Sequence, residues 1–212
     1  MTMEEQQLTL FSGNYNSGRH NQHGFTLIEA LIAFVLLSVG LLGIVSLQAM
    51  AKSSQQLALQ HTRAVTIADA IVERIRVNPA GILVYNIGTG SPVGETATTE
   101  PSPDCGSAAC TPAQLAAHDL WAWEQAMLGA GAQIRGTNTA GLIEPRGCIV
   151  FTAAPDRARS GQLSVIIQWR GLKESYDAVQ SGEVACGGAD AGDDKFRRQV
   201  VTNTYVVDEE EF

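Results

Sequence analysis

The sequence is poor in charge, and its few charges are unbalanced. Charged side chains make up 17% of the 212 residues, and the formal net charge is −8. Because the phosphate backbone of nucleic acids binds basic surfaces, this deficit argues against nucleic-acid binding as the main task. The sequence also lacks a P-loop, a Gly-x-Ser-x-Gly element, a His-Glu-x-x-His motif and any plausible catalytic triad. We therefore expect no enzyme and no resident cofactor.

Charge is missing altogether from a long run near the N-terminus. From Ala30 to Leu47 the residues are apolar or small, and only Ser38 and Ser46 interrupt them. An α-helix needs about 20 such residues, at about 1.5 Å each, to cross a hydrocarbon core. Glu29 lies at the edge of this run, where a carboxylate costs about 2.5–3.5 kcal/mol on insertion scales. An ordinary membrane anchor gains nothing from such a residue.

The residues at the start of the run resemble the type IV prepilin signature. The sequence reads Gly24-Phe25-Thr26-Leu27-Ile28-Glu29, with His23 and Arg19 upstream. The resemblance implies that a prepilin peptidase cleaves after Gly24 and methylates Phe25 as the new N-terminus. It also implies that the apolar helix stays on the mature protein and that Glu29, at the fifth mature position, serves assembly.

The leader, residues 1–24, departs from that family pattern. Family leaders are typically short and basic, whereas this one is long, has acidic residues at Glu4 and Glu5, and carries Arg19 as its single formal positive side chain. We read Met1–His23 as a disordered cytoplasmic segment, because it is polar and has no periodicity. Arg19 is the charge nearest the membrane, which favours a cytoplasmic leader and a periplasmic head.

A conventional cleaved signal peptide is an alternative interpretation of the same region. Ala49-Met50-Ala51 resembles a small-x-small cleavage site after an apolar core, and cleavage there would leave Lys52 as the N-terminus. The apolar core is longer than the usual 7–15 residues of such peptides. The prepilin interpretation accounts for Glu29, and the signal-peptide interpretation does not.

The apolar run is predicted to continue as an amphipathic helix. Apolar residues recur at steps of three or four as far as Ile75, and Asn78-Pro79 ends the pattern because proline cannot continue the hydrogen-bond ladder. We therefore expect one helix from Phe25 to Val77. Residues 25–48 would form the transmembrane and assembly half, 49–78 the spine of the head, and 79–212 the rest of a periplasmic globular head.

All four cysteines follow the apolar run, which is typical of disulfides in an exported domain. They are Cys105, Cys110, Cys148 and Cys186, and they allow three pairings. A linker separates the first two from the last two, so we favour Cys105–Cys110 with Cys148–Cys186. The Cys-x4-Cys spacing is poor for zinc, and the loop from Ser181 to Asp194 has no spaced calcium-ligand pattern. We expect no metal site.

The head is predicted to be α+β. Thr111, Pro112 and Gln114 indicate a capped helix that ends at about Leu128, after a surface loop from Ile82 to Pro103. Trp121 and Trp123 are interpreted as packing residues, and Asp119 and Glu124 are rejected as paired acids because they do not share a helix face. His61 is interpreted as an ordinary helix histidine. The three strand candidates, expected to form an antiparallel sheet, are Gly147–Thr152, Leu163–Trp169 and Gln199–Val207.

The order of these parts resembles the minor pilins called type IV pilus modification proteins, of the PilV type. That resemblance implies a type IV pilin-like fold, with a long N-terminal helix packed on a small antiparallel sheet. It implies a role in pilus biogenesis, with prepilin peptidase, inner membrane lipid, other pilins and other minor pilins as partners. The subunit would occupy the bacterial inner membrane first and the pilus at the cell surface later.

Two alternatives remain open at this point. One is a minor pseudopilin of a type II secretion system, which the N-terminal signature does not separate from a pilin. The other is a membrane-anchored extracytoplasmic binding protein, whose Gly24 would stay uncleaved and whose Glu29 would be replaceable. Major pilins usually carry a proline in the apolar half, whereas Gly40, Gly43 and Ser46 occupy that region here. This difference favours a minor subunit.

Overall fold

The computed structural model describes residues 24–179, 185–187 and 194–212. The chain divides into two units between Gln48 and Ala49, so the first helix contributes to both. The predictions for Met1–His23, and for most of the loop Ser181–Asp194, fall outside the described residues.

The helices are α1 (Leu27–Val77), α2 (Ile82–Tyr85) and α3 (Pro112–Leu128). The strands are β1 (Gly88–Val93), β2 (Gln133–Ile134), β3 (Thr137–Asn138), β4 (Arg146–Ala153), β5 (Gly161–Arg170) and β6 (Arg197–Val206).

The long N-terminal helix ends where the sequence predicts but begins two residues later. Phe25 lies outside α1, and the backbone N–H of Glu29 donates to the carbonyl oxygen of Thr26 at 3.1 Å. At the other end, Pro79 opens a short 3₁₀ turn, Pro79–Gly81, which leads directly into α2. The amide of Asn78 still donates to the carbonyl of Arg74, so the ladder closes one residue before the proline.

The head contains the predicted antiparallel sheet, with strand order β1-β4-β5-β6. Each of the three predicted strands is present and slightly shifted or longer. The β5–β6 register runs without interruption from Gly161–Val206 to Arg170–Arg197, and the β4–β5 register from Arg146–Gln168 to Ala153–Gly161. An α+β architecture with an antiparallel sheet is therefore confirmed.

One face of this sheet forms the core of the head together with α1 and α3. Alternate residues along β5 are buried, as expected for a strand with one face against helices. Gly147 of β4 lies against the ring of Trp123, where a Cβ atom would come within 2.5 Å of the indole. The core residues from the three layers are Ala64, Ala68, Ile71, Val72 and Ile75 of α1, Ala116, Trp123 and Met127 of α3, and Ile149, Phe151, Leu163, Val165, Ile167, Trp169 and Val206 of the sheet.

The caps of α3 follow the sequence prediction closely. The Thr111 hydroxyl accepts from the backbone N–H of Gln114, and the Gln114 side chain accepts from the backbone N–H of Thr111 at 2.9 Å. This reciprocal pair satisfies two donors that the helix itself leaves without partners. At the other end Gly129 has φ of +73°, and a Cβ there would lie 2.1 Å from the backbone nitrogen of Gly141. Both conditions require glycine.

The predicted surface loop from Ile82 to Pro103 is wrong in its first half. Ile82 and Tyr85 are fully buried in α2, and Gly88–Val93 forms the edge strand β1. The segment GTGSPV looks unlike a strand because glycine and proline disfavour sheet interiors. An edge position tolerates Pro92, and the β1–β4 register is irregular between Gly88 and Val93.

The Gly-rich turn after α3 contains a small hairpin that the sequence analysis missed. β2 and β3 pair Gln133 with Asn138 and Ile134 with Thr137. Arg135 and Gly136 connect them with φ of +53° and +79°, which are the two positive values of a type I′ turn. The hairpin is too short to show the period-two pattern by which strands are recognised.

Candidate functional site

The segment Gly24–Gln48 carries the residues that the sequence singles out for processing and assembly. Gly24 and Phe25 lie outside the helix and are exposed, and the Phe25 side chain is 84% accessible. Thr26 stands at the N-cap position of α1, and its hydroxyl is 3.4 Å from the backbone nitrogen of Glu29. The peptide bond between Gly24 and Phe25 therefore lies outside regular secondary structure, just before a helix start.

The apolar side chains of this segment have no protein partners within the described chain. Large apolar residues are exposed from Phe25 to Leu47, and no residue of 24–48 is classed as buried. Judged by length and composition alone, α1 is long enough and apolar enough to cross a membrane. An apolar surface of this extent in water is strongly unfavourable, so lipid or another protein must cover it.

Glu29 is the single ionisable residue in the described part of this segment. Its carboxylate is exposed and has no ion-pair partner among the described residues. It stands at the third position of α1, where the helix dipole favours a negative charge by a few tenths to about 1 kcal/mol. That gain is smaller than the cost of a carboxylate at the edge of a hydrocarbon core. A partner for Glu29 must come from outside the described chain.

The four cysteines lie in the second unit and form two disulfides. Cys105 bonds to Cys110 within the loop before α3, and Cys148 of β4 bonds to Cys186. Cys148 and Cys186 are fully buried. The first bridge closes a short loop and the second ties a long connection between β5 and β6 to the sheet.

A buried polar cluster joins the ends of α1, α2 and α3, and the sequence analysis did not foresee it. The Tyr85 hydroxyl donates to Asp119 Oδ2 at 2.5 Å, and Arg74 Nη1 donates to Asp119 Oδ1 at 2.7 Å. Asn78 Nδ2 lies 3.4 Å from the Tyr85 hydroxyl and donates to the carbonyl of Pro112 at 2.8 Å. Burial, and then the hydrogen bond to Asp119, raise the pKa of Tyr85 well above its usual value.

The second acid of α3, Glu124, has a different role. Its side chain is buried, with 2% exposure, and it accepts hydrogen bonds from the backbone N–H of Gly94 at 3.2 Å and of Thr98 at 2.9 Å. The Thr98 hydroxyl also donates to it, and Trp121 Nε1 donates to the Thr98 carbonyl at 3.2 Å. A carboxylate and an indole of α3 thus hold the segment 94–98.

The sequence contains a pattern that indicates the burial of Asp119. The residues Ala116, Asp119, Trp123 and Met127 recur at helical steps, so Asp119 falls on the buried stripe of α3. The rejection of Asp119 and Glu124 as paired acids agrees with their separate partners. Trp123 packs in the core and donates from Nε1 to the carbonyl of Ile67 at 3.2 Å. His61 is exposed, with its ring edge-on to Trp169 at 6.2 Å.

A long helix with an apolar, exposed first half, followed by an α+β head, is consistent with a type IV pilin fold. Two family models match adjacent parts of the chain. The model of the prokaryotic N-terminal methylation motif matches residues 19–45, and the model described as type IV pilin Tt1218 matches residues 46–121. No curated protein and no solved structure gives a significant match. Over residues 19–121 the chain is thus similar to type IV pilins and their N-terminal methylation motif.

Proposed function

We propose that the chain is a minor pilin of the PilV type, which prepilin peptidase processes between Gly24 and Phe25. The mature subunit, with methylated Phe25, is held in the inner membrane by residues 25–48, with its head in the periplasm. It then enters the pilus or primes its assembly with other pilins. The observation that carries this proposal is Glu29, an acid without an ion-pair partner among the described residues, at the start of an exposed apolar helix.

The apolar half-helix suits transfer from lipid to a bundle of helices. Its side chains find equally apolar surroundings in both places, so association depends on close packing and on polar pairs. A Cβ added at Gly40 or Gly43 would meet nothing within 4 Å, so neither glycine is required by packing inside this chain. Each costs about 1 kcal/mol in a helix relative to alanine. The cost is offset if neighbouring helices approach the backbone closely there.

Glu29 would supply the polar pair. In the bundle, its carboxylate can meet the N-terminal amino group of Phe25 of a neighbouring subunit, a group that exists only after cleavage. A buried ion pair is weak evidence for stability, but it fixes register because a displaced subunit leaves two charges unpaired. Because the amino group of Phe25 exists only after cleavage, assembly would depend on cleavage.

Replacing Glu29 by alanine tests this role. We expect Glu29→Ala to insert into the inner membrane at the normal level, because the substitution removes a charge that is costly in lipid. We expect its incorporation into pili to fall at least about tenfold, the effect of about 1.4 kcal/mol. Immunoblots of sheared pili and of membranes, each normalised to total protein, give the two quantities.

Ser38→Ala is the matched control in the same half-helix. The Ser38 hydroxyl donates to the carbonyl of Phe34 at 2.7 Å, so its polar group is already satisfied within the helix. This variant should reach pili at the wild-type level. Normal incorporation of Glu29→Ala would contradict the registry role of Glu29.

The two alternatives predict different results in the same cells. A minor pseudopilin would leave piliation unchanged when deleted and would reduce secretion of periplasmic substrates instead. A membrane-anchored binding protein would keep its leader and would tolerate Glu29→Ala in every assay. Loss of pili on deletion, together with a processed N-terminus, supports the proposed function over both.

A further inference from the structure

Three potential metal ligands converge beside the N-terminal part of α3. Glu100 and Asp104 lie in the loop before α3, and His118 lies on the helix itself. His118 Nε2 is 3.4 Å from Glu100 Oε1 and 3.8 Å from Asp104 Oδ1. One ligand atom from each of the three residues lies within 4.8 Å of the others.

These separations are those of ligands around a shared ion. They are longer than the 2.7–3.2 Å of ordinary hydrogen bonds to nitrogen. Two ligand atoms about 2.0–2.1 Å from a tetrahedral zinc ion lie about 3.4 Å apart, which is the edge of the coordination tetrahedron. The distance from His118 to Glu100 equals that edge, and the distance from His118 to Asp104 exceeds it by a few tenths of an ångström.

The imidazole of His118 has no hydrogen bond in the described part of the chain. Its side chain is 17% exposed, so water reaches little of it, and its Nε2 faces the two carboxylates. The ring also lies against Trp121, with centroids 5.5 Å apart. Both carboxylates lie beyond ordinary hydrogen-bond length, and a bound metal ion would give the ring nitrogen a closer partner.

The loop side of the site is held in place before any ion binds. Asp104 Oδ1 accepts a hydrogen bond from the backbone N–H of Gly106 at 2.8 Å. The Cys105–Cys110 disulfide closes the adjoining loop, and the Thr111–Gln114 capping box fixes the start of α3.

We propose that Glu100, Asp104 and His118 bind one zinc ion, with water as the fourth ligand. The imidazole and two carboxylates are a common zinc ligand set, and the half-exposed carboxylates leave room for water. A calcium site would need six to eight oxygens and would not use an imidazole. The ion would tie the loop 100–104 to α3. The sequence expectation of no metal rested on cysteine spacing and on the loop Ser181–Asp194, and it did not consider Asp104 or His118.

Zinc titration of the full chain in detergent tests the proposal. His20 and His23 are replaced by asparagine in the background of every variant, because leader histidines would also bind zinc. We expect one zinc ion per chain by competition with a chromogenic chelator, and a rise in melting temperature when zinc is added, since the ion binds the folded state. Cobalt(II) should give the intense visible bands of a tetrahedral site.

Variants at the three ligands and one control decide the outcome. His118→Asn and Asp104→Asn should each weaken zinc binding at least about tenfold and remove the rise in melting temperature. His61→Asn replaces an exposed histidine outside the cluster, and it should change neither the zinc affinity nor the rise in melting temperature. If His118→Asn does not fold, Glu100→Gln provides the same test at an exposed position. No zinc binding at micromolar concentration, binding unaffected by these variants, or binding of calcium instead would overturn the proposal.

Discussion

The hydroxyl of Tyr85 shows how a single buried group shapes the second unit of the chain. Tyr85 is fully buried, and its hydroxyl donates a hydrogen bond to Asp119. Asp119 also accepts a hydrogen bond from Arg74. Leaving such a donor without its acceptor costs about 1–3 kcal/mol. Ionisation would place a second negative charge beside Asp119, and burial penalises that charge further, so the pKa of Tyr85 is raised.

The raised pKa predicts a loss of stability in alkaline solution. In the unfolded chain Tyr85 releases its proton near pH 10, whereas the folded chain still holds it. The folded state then binds more protons, so the free energy of unfolding falls as pH rises above about 10, by up to about 1.4 kcal/mol per pH unit. Tyr85→Phe should remove this part of the slope, as measured by urea unfolding at a series of pH values.

Tyr176→Phe is the matched control, because Tyr176 is 94% exposed. Because Tyr176 has no buried environment to lose, this variant should keep the wild-type slope above pH 10. Equal slopes for wild type and Tyr85→Phe would show that the Tyr85 proton is not retained on folding.

For single residues, the sequence predicts a role correctly where the interaction partner lies within a few positions along the chain. The capping box of Thr111 and Gln114, the terminator at Pro79 and the glycine after α3 are predictable because each acts within a few residues. Tyr85 and Asp119 are 34 residues apart in sequence, and Glu124 meets Gly94 across 30. No local pattern contains such pairs, although the helical spacing of Asp119 marks it as buried.

Among the elements, α3 organises the segment that precedes it. Glu124 accepts from the backbone of Gly94 and Thr98, and Trp121 donates to the carbonyl of Thr98. These bonds replace the ladder bonds that an irregular segment lacks. The chain from β1 to the first disulfide is thereby positioned without regular secondary structure of its own.

Glu124→Ala should release this segment without unfolding α3. We expect hydrogen exchange at the amides of Gly94 and Thr98 to accelerate by at least about tenfold, since each loses its acceptor. Gln125→Ala, next along α3 and without a described side-chain hydrogen bond, is the control and should leave both amides protected. Unchanged exchange in Glu124→Ala would mean that other contacts hold the segment.

Strand recognition from the sequence succeeded where the residues are β-branched and failed where they are small. β5 and β6 alternate or carry runs of valine, threonine and isoleucine, and both are present at nearly the predicted bounds. β1 contains two glycines and a proline, and it becomes a strand only because β4 offers it an edge. Such a strand depends on its neighbour, which a local pattern does not contain.

For the whole molecule, the two disulfides should contribute unequally to stability. Cys148–Cys186 joins residues 38 apart, whereas Cys105–Cys110 joins residues 5 apart. Loop-closure entropy predicts about 4 kcal/mol for the longer loop and about 2 kcal/mol for the shorter one. Replacing both Cys148 and Cys186 by alanine should therefore lower the free energy of unfolding more than replacing both Cys105 and Cys110.

Urea unfolding of the two double variants in the same detergent gives this comparison. The Cys105/Cys110 variant serves as the control for the general effect of losing a disulfide. Equal losses, or a larger loss for the shorter loop, would show that strain or residual structure in the unfolded chain outweighs loop length.

The sequence alone predicts a lipid-facing segment followed by a head, because the uncharged run is long enough to cross a hydrocarbon core. The residues around Gly24 likewise indicate a likeness to type IV pilins, and the matches to residues 19–45 and 46–121 support it. The zinc site that we propose could not be predicted, since its three residues come together only after the disulfide loop packs beside α3.

The N-terminus of the mature protein decides whether the chain is processed as a prepilin. We predict that protein purified from membranes or pili begins with N-methylated Phe25, as read by intact mass and by N-terminal peptide sequencing. A mature chain that begins at Lys52 would contradict it in favour of a conventional signal peptide. A chain that retains Met1–Gly24 would contradict it in favour of a simple membrane anchor.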